Sequence, residues 1–430
     1  MSGVGVVLLV CMLIFLVVGV PIAICLGLSS FISIFLMDRM PAMIVAQKVI
    51  SGIDSFPLMA IPFFMMAGEL MMQGGISKRL INFIKFFLRG LHGNLAYIST
   101  AACAFFGAIS GSSMATTAAI GGLMYPEMVN DGYSKDFSAT LQAASGTLGM
   151  LIPPSIPLVI YGVTAGESIG KLFLAVIPSG IIMCLSYCLV SAFVIRKEKM
   201  VLVESTTKRT FAEFREVTFE ALWALLTPVI ILGGIYSGIF TPTESAAAAS
   251  IYALFVGVFI YRELSFKKFI DAMKKAALST AACMFIIATA TAFCWIMTYL
   301  NIPNTISSFI LSVTTSRIVF LILMTVFLLF AGMLMDTNIL ILILTPLLLP
   351  AAKNLGIDGI HFGIFMCVNL SVGLISPPFG ACLFVSCGIT GVPIGKIFKK
   401  SVLFIMGALA TVLLVTFFPV FSVGFVNLFS

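Results

Sequence analysis

The chain has 430 residues, of which 60% are hydrophobic and 10% are charged, and its formal net charge is +7. Soluble domains contain about 45–50% apolar and about 25% charged residues, so this composition excludes a soluble enzyme and a groove-sized nucleic-acid-binding module. It indicates an integral membrane protein. The ten cysteines stand singly in apolar stretches without a CxxC pair, which predicts neither a disulfide framework nor a zinc site.

The first half, residues 1–195, is predicted to start with scaffold helices over residues 4–73. A membrane helix needs about 20 mostly apolar residues, and the long run from Val4 to Met37 is divided by Gly19-Val20-Pro21. This start has no basic region before it, so we expect a retained helix and no signal peptide. Four elements follow in order: an amphipathic arm at 77–91, a helical hairpin at 94–128, a broken helix at 138–163 and a final helix at 172–195.

A basic segment at 196–220 is predicted to be a cytoplasmic linker to the second half, residues 221–430. The second half repeats the order of the first, and its scaffold helices at 222–261 are divided at Thr241-Pro242-Thr243-Glu244. Its other elements are arms at 265–276 and 303–314, with a helix at 277–299 between them, a hairpin at 317–351, a broken helix at 361–386 and a final helix at 397–420.

One backbone pattern occurs in both halves. The residues Pro126, Gly132, Gly149, Pro153 and Pro154 recur 224 residues later as Pro350, Gly356, Gly373, Pro377 and Pro378. This shared spacing indicates a duplication. Each half is predicted to have five crossings and one re-entrant hairpin, and because five is odd, the second half must be inverted. Paired broken helices mark a central binding site in secondary transporters. The predicted fold is therefore an all-α integral membrane protein with inverted repeats, two re-entrant hairpins and two broken helices.

The distribution of basic residues tests the orientation. With the N-terminus outside, most of the 24 lysines and arginines fall on the cytoplasmic side, leaving only Arg39, Lys48, Lys171, Arg317 and Lys353 outside. This excess agrees with the positive-inside rule and predicts that both termini are periplasmic. The net charge therefore needs no nucleic-acid partner.

The tip of the first hairpin concentrates small polar residues, Ser110-Gly111-Ser112-Ser113. Non-helical backbone inside a bilayer must be buried in protein or line a cavity, and its hydroxyls and free carbonyls are hard ligands for a small cation. The facing segment runs from Ser145 to Ser155, and its paired prolines, Pro153 and Pro154, should unwind a helix. The alternative is a kinked helix whose small residues allow close packing.

The second tip is Gly332 to Asn338, and it faces a segment with Pro377 and Pro378. Aligning Gly107 with Gly332 places Ser112 at Thr337 and Ser113 at Asn338. Asp336 is the only charged residue of this segment. It could bind a cation, carry a proton or accept hydrogen bonds from a substrate, or it could cap the hairpin helix. For Glu69, the other acid inside a predicted helix, we expect an ion pair with a nearby Lys or Arg.

Other chemistry has little support. The segment Gly166 to Leu172 has neither the spacing nor the Ser/Thr of a phosphate-binding loop, and no GxSxG or HExxH motif occurs. We therefore expect no ATP-driven transport, no enzyme activity and no organic cofactor. A passive channel remains an alternative, since paired half-helices also build channels, and a membrane-embedded enzyme is a weaker one.

Four runs, GAISGSSMATTAAIG, SGTLGMLIPPSIPLVIYG, GIFTPTESAAAAS and GLISPPFG, resemble the large membrane (M) subunit of tripartite ATP-independent periplasmic (TRAP) transporters. The resemblance covers essentially the whole chain. It implies an elevator-type, sodium-coupled importer of organic acids in the bacterial inner membrane. It also implies two partners, a small four-helix membrane (Q) subunit, expected as a separate polypeptide, and a periplasmic substrate-binding (P) protein. The alternative is a sodium-coupled anion symporter that needs no binding protein.

The resemblance also implies site residues. The first sodium site would comprise Ser110, Gly111, Ser112, Ser113, Ser145, Gly146, Gly149 and Met150. The second would comprise Gly332, Thr337, Asn338, Gly373, Leu374 and Ser376. The substrate would lie near Asp336, Ser155 and Thr116. Sialic acid, C4-dicarboxylates and sugar acids all remain candidates for that substrate.

Overall fold

A computed structural model describes residues 3–37, 40–200 and 210–428 of the chain. Within these ranges all regular structure is helical, and eight helices are long and apolar enough to cross a membrane. The prediction of an all-α membrane protein is thereby confirmed. The predictions made for Arg39 and for the part of the basic linker at 201–209 lie outside the described residues.

The first half contains ten of the helices that the described ranges form. They are α1 Gly3–Val17, α2 Ile22–Phe35, α3 Met43–Ile53, α4 Ala60–Gln73, α5 Ile76–Leu88, α6 Asn94–Ser110, α7 Ser113–Asn130, α8 Lys135–Gly146, α9 Ile156–Ala165 and α10 Ile169–Lys197. A 3₁₀ turn at Phe56–Met59 precedes α4, and another at Thr147–Met150 follows α8.

The second half follows nearly the same order. Its helices are α11 Phe211–Tyr236, α12 Pro242–Phe255, α13 Phe266–Tyr299, α14 Ile302–Val313, α15 Arg317–Leu334, α16 Thr337–Asn354, α17 Gly359–Gly373, α18 Ala381–Thr390, α19 Ile394–Phe417 and α20 Val423–Asn427. A short π-helical turn, Val256–Ile260, extends α12. The peptide bonds Pro153–Pro154 and Pro377–Pro378 are both cis.

Local chemistry explains several of these boundaries. The α11–α12 break falls at the predicted position because a capping box starts α12. There the Thr241 Oγ1 accepts a hydrogen bond from the Glu244 backbone N–H (3.3 Å), and a Glu244 carboxylate oxygen accepts one from the Thr241 N–H (2.8 Å). Proline follows directly at the first helical position, where its missing N–H has no consequence.

The predicted arm at 265–276 is not a separate element. The helix α13 continues through it to Tyr299 without interruption, so the arm and the helix predicted at 277–299 are one element. The junction, Lys274-Lys275-Ala276-Ala277, consists of good helix formers and has no Gly or Pro to end the helix. In the first half the equivalent stretch is divided, with α3 separated from α4 around Pro57.

The predicted linker at 196–220 is also partly helical, because α10 extends to Lys197 and α11 starts at Phe211. The start of α11 is held against α5. Glu213 forms an ion pair with Arg89 (2.6 Å), and the Phe214 ring lies 5.7 Å from the ring of Phe86. These contacts give the first turns of α11 tertiary support that a solvated linker would lack.

The helices form two groups, and each group contains elements of both halves. We call α1–α5 with α11–α14 the framework group, in which α4 packs on α12 and α13 packs on α2, α3 and α4. The helix α14 lies at the edge of this group, because it packs on α16 of the other group as well as on α13. We call α6–α10 with α15–α20 the hairpin group, in which α8 packs on α18 and α19, and α9 packs on α16 and α17. The chain therefore passes between the groups three times, after α5, after α10 and after α14.

Hydrogen bonds join the two halves inside the hairpin group. The Tyr161 hydroxyl donates to the Gly359 carbonyl at 2.6 Å, and the Ser386 hydroxyl donates to the Ala139 carbonyl at 2.6 Å. Tyr161 and Ser386 are fully buried. Each half thus supplies donors that satisfy buried carbonyls of the other half.

Candidate functional site

The two hairpin tips contact the broken helices in similar ways. The helix α6 ends at Gly111, and its carbonyl accepts a hydrogen bond from the Ile156 N–H (3.2 Å), at the start of α9. The carbonyl of Met333, near the end of α15, accepts one from the Phe379 N–H (3.1 Å), just before α18. Both helix breaks therefore occur beside the paired prolines, and each places the helix beyond them against a hairpin tip.

The hydroxyls of the first tip point into this contact. The Ser110 and Thr116 hydroxyls are 3.0 Å apart, and the Ser113 hydroxyl donates to the Thr147 carbonyl at 3.4 Å. Ser112 is the N-cap of α7, and its side-chain oxygen accepts a hydrogen bond from the Ala115 N–H (3.4 Å). The tip therefore concentrates oxygen atoms in a small volume.

Glycines bring the first broken helix close to this tip. A Cβ on Gly149 would lie 2.6 Å from the Ser112 carbonyl oxygen, and one on Gly146 would collide with Thr117. Met150 follows Gly149 and lines the cavity described below. Ser145 is one turn farther away, and its hydroxyl pairs with that of Thr100 on α6 (3.0 Å). The predicted residues of the first site thus lie along a single contact between the tip and the helix.

The second tip is packed in the same manner. A Cβ on Gly373 would lie 2.6 Å from the Gly332 carbonyl oxygen. The amide oxygen of Asn338, in the first turn of α16, is buried without a hydrogen-bond partner in the part of the chain that the structure describes. The same holds for the amide oxygen of Asn369 on α17, which is fully buried. Buried acceptors without a partner are rare in native proteins, and both would fit the ligand shell of a cation.

The remaining residues predicted for the second site lie close by. Thr337 begins α16, and Leu374 lines the cavity. The Ser376 hydroxyl donates to the Val372 carbonyl at 2.7 Å, so its hydrogen atom is already used within the broken helix.

Asp336 combines two of the roles left open by the sequence. Its carboxylate accepts a hydrogen bond from the Asn338 N–H at 2.9 Å and so caps α16. The same residue also lines the cavity. The capping interaction therefore holds the carboxylate at the edge of this cavity, between the two tips.

A cavity of about 400 Å³ lies where the hairpin group meets the framework group. The first tip contributes Ser112 and Ser113, and the second contributes Asp336, Thr337 and Asn338. The framework contributes mainly apolar residues from α4 and α13, together with Glu69 and Ser279. The cavity therefore has room for a small organic molecule, and both tips line it.

Two residues predicted to contact substrate do not reach this cavity. Ser155 is fully buried, and its side-chain oxygen accepts a hydrogen bond from the Leu158 N–H (3.5 Å) as the N-cap of α9. Thr116 is also fully buried, and its hydroxyl pairs with that of Ser110. Neither is among the lining residues, so Asp336 is the one residue of the predicted substrate set that faces the space.

The predicted ion pair of Glu69 is wrong. Within the described residues Glu69 forms no salt bridge, and its Oε2 atom is buried without a hydrogen-bond partner. The helix α4 instead presents this carboxylate to the cavity. A single acid in the apolar run from Ile61 to Met72 was the available signal. The topology predicted from the sequence placed Glu69 towards the cytoplasmic end of its helix, so its position at the cavity was not predicted. Ser279 was missed because nothing distinguishes it from other serines of α13.

The charged side chains that line the cavity are all acidic. The lining contains two carboxylates, Glu69 and Asp336, and no lysine, arginine or histidine from the described ranges. A negative site of this kind attracts cations, and it repels an anion until the charge has been neutralised. The arrangement therefore fits an anion only when cations bind with it.

Comparison with known proteins identifies the family. Residues 9–421 match the tripartite ATP-independent periplasmic transporter, DctM component. The isethionate TRAP transporter permease DctMQ of Oleidesulfovibrio alaskensis is 44% identical over 96% of this chain, which spans only 64% of that relative. The C4-dicarboxylate large permease DctM of Pseudomonas aeruginosa is 40% identical, with 94% and 93% of the two chains covered. The sialic acid large permease SiaM of Vibrio cholerae is 35% identical, with 96% of each covered.

A solved structure supports the architecture. The YdaH transporter of Alcanivorax borkumensis superimposes with a TM-score of 0.63 at 15% identity, covering 87% of this chain and 88% of its own. This likeness concerns the fold alone. The relatives matched by sequence are permeases and not enzymes. With its apolar helices, its broken-helix pairs and a family match across nearly its whole length, the chain belongs to the DctM component family of TRAP transporters, the multi-pass large permease subunits.

Proposed function

We propose that this protein imports an organic acid by coupling its movement to sodium ions. The observation that carries the proposal is the lining of the cavity of about 400 Å³ between two oxygen-rich tips, which among the described residues has two carboxylates and no basic side chain. Cations bound at the tips would neutralise the site, and the N-termini of α7 and α16 would then favour an anion. An anion and its coupling ions would therefore occupy the site together.

The ions are assigned to the two predicted sites. The first uses the oxygen atoms of Ser110, Ser112 and Ser113 with the nearby broken helix. The second uses the unpartnered amide oxygen of Asn338 with the Gly332–Gly373 contact. Sodium suits both sites because they offer neutral oxygen ligands, and the described residues include no cluster of three His, Cys, Asp or Glu for a transition metal.

The substrate class follows from the relatives. Their names specify isethionate, C4-dicarboxylates, sialic acid and 2,3-diketo-L-gulonate, all of them organic acids. We propose the same general class here. We also propose that a small membrane subunit, separate or fused in other members, and a periplasmic binding protein complete the transporter in the bacterial inner membrane. Both termini would face the periplasm.

The proposed mechanism is an elevator. The hairpin group, with its re-entrant hairpins in inverted repeats, would carry substrate and sodium across the membrane against a static framework group. The three crossings of the chain between the groups and the location of the cavity at their boundary support this division. A stand-alone anion symporter without a binding protein is the alternative, and a passive channel is a further one.

Uptake by the complex reconstituted in proteoliposomes tests the proposal. An inward sodium gradient should concentrate at least one labelled acid from a panel of isethionate, succinate, sialic acid and gluconate. The double variant Ser112→Ala/Ser113→Ala should raise the sodium concentration for half-maximal uptake by about tenfold or more, because it removes two hydroxyls from the first tip. The matched control is Ser312→Ala, an exposed hydroxyl on α14 that does not line the cavity.

Three results would contradict the proposal. The first is that the labelled acid never accumulates above its equilibrium concentration. The second is uptake whose rate does not depend on sodium, and the third is a double variant with unchanged sodium dependence. Omitting the periplasmic protein separates the two transporter hypotheses, because only a stand-alone symporter would keep its full rate.

A further inference from the structure

The charges of the cavity restrict the substrate further, if the proposed sodium-coupled function holds. Two sodium ions would balance the two carboxylates, Glu69 and Asp336, and leave the site without a net charge. A monoanion would then bring the site to one negative charge, and a dianion would bring it to two. No basic side chain of the described ranges lines the cavity to compensate the second charge. Uncompensated charge in a low-dielectric site is unfavourable, so monoanions should be preferred.

Glu69 occupies a distinct position in this cavity. It belongs to the framework group, whereas Asp336 and both hydroxyl-rich tips belong to the hairpin group. A smaller recess of about 100 Å³ adjoins the cavity at Glu69, between α4, α13 and the first hairpin. Ser110 and Ser112 of the first tip also line this recess, so Glu69 lies beside that tip on the framework side. A molecule held by the sodium-loaded tips would therefore have Glu69 next to its framework-facing end.

Among the residues described, the Glu69 carboxylate lacks a hydrogen-bond donor. Its Oε2 atom is buried without a hydrogen-bond partner in the described part of the chain. Lys275 of α13 exerts an electrostatic influence on it but forms no ion pair with it among the described residues. Next to it, a Cβ on Gly68 would lie 3.2 Å from the Ser110 Cβ, so α4 lies directly against the first hairpin. A buried acceptor of this kind requires a donor.

We infer that the cavity selects organic monoanions whose framework-facing end carries hydrogen-bond donors, hydroxyl or ammonium groups, and that Glu69 is the residue that receives those donors. A second carboxylate at that end would face Glu69 directly and would be repelled. The specificity thus combines an attractive element, the unpartnered acceptor, with a repulsive one, its charge. C4-dicarboxylates are disfavoured by both.

Ligand-induced thermal stabilisation of the purified membrane complex tests this inference, because a bound ligand stabilises the folded state by an amount that grows with the logarithm of its concentration divided by its Kd. The ligands are D-gluconate, a monoanion with hydroxyls, butyrate, a monoanion without them, and succinate, a dianion. Each is titrated in sodium and in potassium. In sodium the wild-type protein should bind gluconate about tenfold or more tightly than either of the others, since only gluconate offers donors without a second charge.

The variant Glu69→Gln should lose most of the discrimination between gluconate and succinate. Glu69→Asp keeps the charge, so it should still reject succinate while it binds gluconate more weakly, because its carboxylate is one methylene farther back. Asp54→Asn is the matched control, since it removes one negative charge from an exposed residue that does not line the cavity. It should leave the affinity ratio unchanged.

The possible outcomes separate the inference from the function on which it rests. If neither these acids nor isethionate and sialic acid stabilise the protein in sodium, the proposed function fails and the inference fails with it. If succinate binds the wild-type protein as tightly as gluconate does, or if Glu69→Gln responds to sodium but keeps the wild-type affinity ratio, the inference is overturned and sodium-coupled transport still stands.

Discussion

Gly149 and Gly373 have equivalent roles at the two helix breaks. Each lets the backbone of a broken helix approach the backbone of a hairpin, where a Cβ would lie 2.6 Å from a carbonyl oxygen. That separation is too short for a carbon–oxygen contact, so a side chain would force the tip away from the helix. The oxygen atoms assigned to each ion would then move apart.

We expect Gly149→Ala and Gly373→Ala to lower the midpoint of thermal unfolding in sodium, each with an overpacking penalty of about 1–3 kcal/mol. The stabilisation that sodium gives over potassium should also shrink, because tip and helix no longer meet. Gly388→Ala is the control, since a Cβ there meets nothing within 4 Å. Should the variants at 149 and 373 retain the full sodium effect, the sites do not lie at these contacts.

At the scale of elements, α5 forms one ion pair within the framework group and one with the hairpin group. Arg79 pairs with Glu263 at 2.7 Å, and the Arg79 guanidinium lies 3.8 Å from the ring centroid of Tyr261, so both contacts stay within the framework group. Lys85 pairs with Glu127 on α7, which belongs to the hairpin group. Only the second of these pairs would have to break if the groups moved past each other. Both lie partly exposed, so neither contributes much to stability.

This difference gives a direct test of movement. A bifunctional methanethiosulfonate reagent should stop uptake by a Lys85→Cys/Glu127→Cys variant, and a reductant should restore it, because the link ties the hairpin group to α5. In an Arg79→Cys/Glu263→Cys variant the same link stays within the framework group and should leave uptake intact. Wild-type protein controls for its ten native cysteines. Unimpaired uptake by the linked first variant would refute a moving hairpin group.

The positions of the helix breaks could be predicted from the sequence more accurately than the surroundings of individual side chains. Proline and glycine act locally, so the interruptions at Pro153–Pro154 and Pro377–Pro378 could be read directly from the chain. The continuity of α13 and the helical start of α11 depend on packing between distant segments, which a single sequence does not show. For the same reason Ser155 and Thr116 were expected at the substrate and lie buried instead, whereas Glu69 was expected in an ion pair and faces the cavity.

At the scale of the whole molecule, contacts between the halves lead us to expect that neither half folds stably alone. The buried Gly359 and Ala139 carbonyls receive their donors from the opposite half, and both groups of helices draw on both halves. A separated half would leave the buried Tyr161 or Ser386 hydroxyl without its acceptor and would expose faces that pack in the intact chain.

Expression of residues 1–200 alone should therefore yield protein that aggregates or is degraded. Co-expression with residues 210–430 should restore a complex that elutes as a single species and takes up substrate. Size-exclusion chromatography in detergent measures both results. A monodisperse, helical 1–200 fragment on its own would show that the halves are independent.

The path of the chain has one more consequence. In the proposed elevator mechanism, the chain would have to bend at each of its three passages between the static group and the moving one. The passage after α5 is short, and it contains Gly90 and Gly93 with φ values of 94° and 77°. Side chains would penalise such backbone torsions. This passage thus contains the residues with the greatest backbone freedom, and its length would limit how far the hairpin group could move in the proposed mechanism.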